Sequence, residues 1–300
     1  MPTMKAFARA IAAAALLATA TAWVHAQNTT NFATPVPTSA PTGPAPRMPN
    51  GKPDFTGVWQ RAYVPDMSRN GRGQQGYAEA PFAPGDPQAR RDELRKAGNY
   101  AELPFTAAGL DDWKTYDPAN GEYTGSCMPF GLIRSMNSPD PMQVMQNDKY
   151  IALLFEQNTW FHIIYIDGRD HPKNVEPTWF GHSVGTWDGD TLVVDTVGFN
   201  GYTRLDTVGH PHSDALHMIQ TLRRTDAGHI AYTVTIDDPK AYSKPWKNER
   251  TFTLMNTEMI EYSCEENNRA LREGRIKAWT RPESSKYRAE SEKYKVESKK

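Results

Sequence analysis

A train of short apolar runs separated by tight polar turns limits the fold more than any other feature. "FTGVWQ" (55–60) comes first, and after a long interval "YIALLFE" (150–156) and "WFHIIYID" (160–167) follow. "GHSVGTWDGDTLVVDTVGF" (181–199) supplies two more runs around Asp188-Gly189. "ALHMIQTLRR" (215–224), "HIAYTVTID" (229–237), "ERTFTLM" (249–255) and "MIEYSCE" (259–265) complete the series. Alternating runs joined by Gly, Asn and Asp turns read as antiparallel hairpins. A long succession of them buries its apolar faces by curling into a barrel or folding into a sandwich. Strands do not alternate with helices, which argues against a parallel α/β sheet. The expectation is an all-β domain, an antiparallel meander closed as a barrel.

The domain does not use the whole chain of 300 residues. Residues 1–26 carry Lys5 and Arg9, then the apolar stretch Ala10–Val24, then Val24-His25-Ala26. That order is a secretory signal peptide, too short for a membrane span, with cleavage expected near Ala26/Gln27. No later run is long enough to cross a bilayer, so a soluble periplasmic or secreted product is expected. Residues 27–50 form a Pro/Thr-rich linker. The barrel domain is expected over 51–268, with a loop-rich excursion at about 66–125 that holds helices near Arg90–Ala97 and Thr106–Tyr116. A charged tail, 269–300, reads as a solvated helix or a disordered end. Loss of Lys5 and Arg9 leaves 32 basic residues against 35 acidic ones, a balance that argues against a nucleic-acid partner. Cys127 and Cys264 are the two cysteines, and export favours a disulfide between them.

The chemistry starts from the hairpin. With Asp188-Gly189 as a two-residue turn, His182 faces Asp195 on a face that also carries Phe180, Val184, Val193 and Val197. An aspartate opposite a histidine fixes the imidazole tautomer and raises its basicity. A purely structural polar contact is the alternative reading of the same pair. The second constellation is "DTVGHPHSDALH" (206–217), which crowds His210, His212 and His217 into one loop. These three are acid–base candidates. With His182 they are also candidate ligands for a divalent metal such as Zn²⁺ or Fe²⁺. Glu156, at a strand end, is a further proton-handling candidate. Trp160, His162, Phe180 and Tyr242 would line a pocket, and Arg134 or Arg169 would hold a carboxylate or phenolate. The chain has no Gly-x-Ser-x-Gly elbow, Walker loop, dinucleotide fingerprint, haem-attachment motif or His-Glu-x-x-His.

Two resemblances add to this. Gly57-Val58-Trp59 is similar to the Gly-x-Trp on the first strand of lipocalin-like barrels, which implies a lipocalin/calycin-like barrel. "PTWFGHSVGTWDGDTLVVDTVGFNG", "GHPHSDALH", "TIDDPKAY" and "YSCEENNR" together resemble a family of exported bacterial proteins, over about Gly51 to Arg269. That resemblance implies export and brings no general reaction with it.

Three functions stand as expectations. The first is a cofactor-free lyase, hydratase or isomerase acting on a small apolar or aromatic molecule. The second is a metal-dependent enzyme using the histidine loop. The third is a periplasmic ligand-binding protein of lipocalin type, without turnover.

Overall fold

The computed structural model describes residues 40–64, 66–68, 103–116, 123–266 and 268–280. The chain divides into units 1–36 and 37–300; the first lies wholly outside the described residues, and the second holds the fold. The expected signal peptide, the Arg90–Ala97 helix and the end of the charged tail also lie outside the described residues.

Nine strands close into one barrel, each paired with its neighbours in chain order. They are β1 Gly57–Gln60, β2 Met142–Gln146, β3 Tyr150–Phe155, β4 Phe161–Tyr165, β5 His182–Asp188, β6 Thr191–Val197, β7 His217–Arg224, β8 His229–Asp237 and β9 Trp246–Met255. β1 pairs antiparallel with both β2 and β9, which shuts the barrel. Strict alternation of burial along β6, β7 and β8 separates an inner row from an outer one. The inner row includes Trp59, Leu192, Val194, Met218, Val234 and Phe252, all essentially inaccessible. Each fully buried Val, Leu or Phe contributes about 1.5–3 kcal/mol over exposure.

Two expectations change. The meander is not wholly antiparallel, because β4 and β5 run parallel through Ile164↔Ser183 and Tyr165↔Val184. A long 166–181 connection makes that crossover. Met259–Glu265 is not a strand. It is held instead by two side chains of the 156–158 turn, Glu156 Oε2 accepting from Ile260 N and Asn158 Oδ1 from Cys264 N, and by the disulfide. The strand place belongs to Met142–Gln146, whose Met142 and Val144 point inward between β1 and β3. Within the expected linker, Arg47 makes a two-pronged ion pair with Asp190 at 2.7 and 2.8 Å.

That ion pair sits on the turn that sets the β5–β6 register. Asp188 pairs with Thr191, so Gly189 and Asp190 are the two turn residues. Gly189 takes φ +57 at the first of these positions, where hairpin turns of the II′ kind place glycine. The register is therefore two residues away from the one expected. His182 faces Val197, and Asp195 faces Val184. A shift of two keeps the same residues on one face, but that face is the outside of the barrel: Ser183, Val194 and Thr196 point in.

Two short helices matter for the site. Helix α1 (Ala107–Thr115) starts at Thr106, whose hydroxyl accepts from Gly109 N at 3.0 Å. It lies so close to Ala241 that a Cβ on Gly109 would meet the Ala241 carbonyl oxygen at 2.1 Å. Helix α2 (Leu132–Met136) is short, with four of its residues buried.

Candidate functional site

Four neighbouring strands place polar side chains in one band of the outer face: Tyr165 on β4, His182 on β5, Asp195 on β6 and His217 on β7. The crossover between β4 and β5 lays a fifth residue, His171, over that band. His171 joins the pair that the register separates. Its Nδ1 lies 2.8 Å from His182 Nδ1, and its Nε2 lies 3.3 Å from Asp195 Oδ1. His217 Nε2 reaches the same carboxylate oxygen at 3.0 Å.

One set of neutral tautomers satisfies all three contacts. Asp195 Oδ1 accepts from His171 Nε2–H and from His217 Nε2–H. His171 Nδ1 is then bare and accepts from His182 Nδ1–H. His182 is left with a lone pair on Nε2. Burial, reinforced by His171 and Arg169, pushes the His182 pKa below the usual histidine value, so this imidazole is neutral at pH 7. The band is only partly buried, with side-chain exposures of 22% for His171, 40% for Asp195 and 42% for His217. Water screens such contacts, so they orient the rings more than they stabilise the fold.

The His182 ring stacks on Tyr165 at 5.6 Å. Tyr165 also lines a groove of about 450 Å³ with Met145, Tyr150, Ala152 and Ile163. This part of the outer face exposes Met145, Tyr150 and Phe161 by 40% or more, an apolar surface beside a proton-handling chain. The Arg169 guanidinium packs 4.0 Å over Tyr165 and pairs with Asp167 at 2.6 Å.

The remaining expected residues fall elsewhere. His210 is 2% exposed and holds Asp206 through Nδ1 at 2.5 Å, its ring stacked on Trp113. Met67 N donates to the same Asp206 carboxylate at 2.8 Å. Asp66, Asp206 and His210 bring ligand atoms within 4.8 Å of one another, the one such grouping among the described residues. The expected metal set His182, His210, His212 and His217 is thus not brought to one point; its members have separate partners. His212 Nδ1–H donates to the Ser213 carbonyl at 3.0 Å, and its Nε2 accepts from the Thr203 hydroxyl at 2.6 Å. Burial pushes the His212 pKa down, so it is a neutral structural group.

Arg134 borders a separate cavity of about 190 Å³ with Tyr63, Phe130, Asn137 and Asp206. Glu156 accepts from Ile260 N at 2.9 Å, and burial raises its pKa. Trp160 and Phe180 meet edge to face at 6.2 Å, with Phe130 also packed edge-on against Trp160. His162 is an inner residue, 2.7 Å from Ser183 Oγ, which is in turn 2.7 Å from Thr196 Oγ1. Tyr242 is core, its hydroxyl donating to the Pro211 carbonyl at 2.8 Å. Cys127 and Cys264 form the expected disulfide.

Sequence reasoning misses His171, Asp66 and the Ser183–Thr196 pair. His171 is visible in the sequence only as part of an Asp-Gly turn; that its loop is a crossover over β5 and β6 is a tertiary fact.

The fold and the geometry define a class, a closed nine-stranded barrel bearing a histidine–aspartate chain across β5, β6 and β7. No protein-family model, curated protein or solved structure matches the chain.

Proposed function

We propose that this protein is an exported acid–base enzyme, a lyase, hydratase or isomerase, acting on a small apolar or aromatic molecule bound in the outer groove. The Asp195–His171–His182 chain carries the reading. His182 Nε2 removes a proton from substrate. The imidazolium so formed donates through Nδ1 to His171, and the Asp195 carboxylate stabilises the charge through the second ring. The same His182 imidazolium gives the proton back to the substrate from Nε2, and His217, donating to the same carboxylate, holds Asp195 in place. Tyr165 positions the substrate, because it belongs to both the groove and the His182 stack. The disulfide supports an oxidising compartment.

Deuterium exchange tests this without a known product. Small aromatic ketones, phenols and aryl acids are incubated with the protein in deuterated water and followed by proton NMR. Loss of an acidic C–H signal in at least one compound, abolished in His182→Gln, is the expected result. Exchange unchanged in a folded His182→Gln variant would remove His182 from the chemistry.

The grouping of Asp66, Asp206 and His210 favours a second reading, a divalent-metal enzyme. Two carboxylates and an imidazole suit Zn²⁺, Mn²⁺ or Fe²⁺. Metal analysis of untagged protein decides it. About one ion per chain, lost in His210→Gln, supports this reading; a metal-free protein that stays so after incubation with each ion rejects it.

A further inference from the structure

Inside the barrel, two arginines lie where charge is expensive. Arg61 follows β1 and is 1% exposed; Arg250 is on β9, points inward and is 5% exposed. Buried cations are normally paired with carboxylates or metal-bound anions. Among the described residues, neither of these makes a carboxylate contact. Arg61 donates through Nη1 and Nη2 to the main-chain carbonyls of Ser135 and Asp140. Arg250 donates through Nη1 to the Asn137 side-chain oxygen and packs 5.1 Å over the Tyr232 ring. Nε and Nη2 of Arg250, Nε of Arg61 and the amide nitrogen of Gln220 are buried with no hydrogen-bond partner among the described residues. The Gln220 amide is held in place from its other end, where Oε1 accepts from the Tyr232 hydroxyl at 2.9 Å.

The shape of the unfilled donors is informative. Nε–H and Nη2–H of one arginine are parallel and share an edge of the planar guanidinium. That edge is the fork that grips both oxygens of a carboxylate. Asn137, the partner of Arg250 on Nη1, also lines the cavity of about 190 Å³ beside Tyr63, Phe130 and Arg134. Asn137 thus stands between the Arg250 guanidinium and an aromatic-edged cavity. From this geometry we infer that the barrel interior is a binding site for a small monocarboxylate, held two-pronged by the Nε/Nη2 edge of Arg250 and entering past Asn137. The site is separate from the outer histidine chain and does not depend on it. Desolvation lowers Arg61 to about 9 and Arg250 to about 10, so both remain cationic at neutral pH.

Calorimetric titration of the full chain with sodium benzoate and sodium acetate tests the site, with benzamide as the neutral isostere and sodium chloride at equal ionic strength. The expected result is saturable binding of at least one carboxylate, none of benzamide, and at least tenfold weaker binding in Arg250→Lys, which keeps the charge and loses the fork. Absence of saturable carboxylate binding, equal response to benzamide or chloride, or undiminished binding in a folded Arg250→Lys variant overturns the proposal. If Arg250→Lys does not fold, Arg250→Met serves instead. It removes the unpaired charge, and should fold with no loss of melting temperature while failing to bind benzoate; retained benzoate binding there also overturns the proposal.

Discussion

A histidine and an aspartate separated by a register shift become connected only because a third residue spans them. His171 touches His182 at one ring nitrogen and Asp195 at the other. In the proposed mechanism it is a positioning residue, and its removal should resemble removal of Asp195. Both His171→Ala and Asp195→Asn are expected to cut turnover by roughly 10²–10⁴, with the double variant no worse than either single one. Additive losses would show that the two act separately. The pH profile is a second check. His182 titrates below the ordinary histidine value, so its basic form persists into mildly acidic solution. The acid limb of turnover should therefore lie below pH ~6.5 in the wild type. It should move further down in Asp195→Ala, where the imidazolium loses its counter-charge. A limb that stays put in His182→Gln would assign the titration to another group.

At the scale of strands, the inner face carries its own polar chain, His162 on β4, Ser183 on β5 and Thr196 on β6. Burial, and to a lesser degree His182, depress His162 to about 3. An unfolded histidine titrates near 6.5, so the unfolded chain takes up the proton first. The neutral imidazole keeps its full contribution above about pH 6.5 and loses it as the pH falls toward 3, a change on the order of 5 kcal/mol. Urea melts between pH 7 and 3.5 should show this slope, and His162→Gln should flatten it while lowering stability at pH 7. An equal slope in the variant would place acid sensitivity elsewhere. The strands also show what a sequence reveals. Hairpin spacing suffices for the barrel, because alternation and turn chemistry are local. "MQVMQ" escapes a sequence reading because Val144 is its one β-branched residue. "MIEYSCE" misleads because a β-rich stretch can be held by a disulfide and by side-chain acceptors instead of a ladder. The inner face of β6 is hard to read because Val193 and Val197 lie outside while Leu192 and Val194 lie inside, so hydropathy does not mark the core side. The turn residue Asp190 is paired with Arg47, 143 residues away, a contact that no local pattern announces.

Across the whole molecule, Cys127–Cys264 joins points 137 residues apart, with α carbons 5.5 Å from each other. Closure of a loop that long contributes about 5 kcal/mol in the chain-entropy view. A Cys127→Ser/Cys264→Ser protein should melt roughly 10–15 °C lower while keeping its far-ultraviolet circular dichroism. A shift of a degree or two would mean that the bridge does little for the folded state. The barrel closure itself is uneven. Antiparallel neighbours β7 and β8 align through eight residue pairs, whereas the parallel seam between β4 and β5 has two. The seam is where the cylinder breathes first: local openings need the fewest ladder bonds broken there, and amide hydrogens of Ile164–Tyr165 and Ser183–Val184 should exchange with solvent well before those of β7 and β8. His182 sits at the edge of that seam, and its ring rests on Tyr165 from across it. An opening there would part the stack, so a molecule lodged against Tyr165 should slow exchange at those amides and leave the rest of the barrel unchanged.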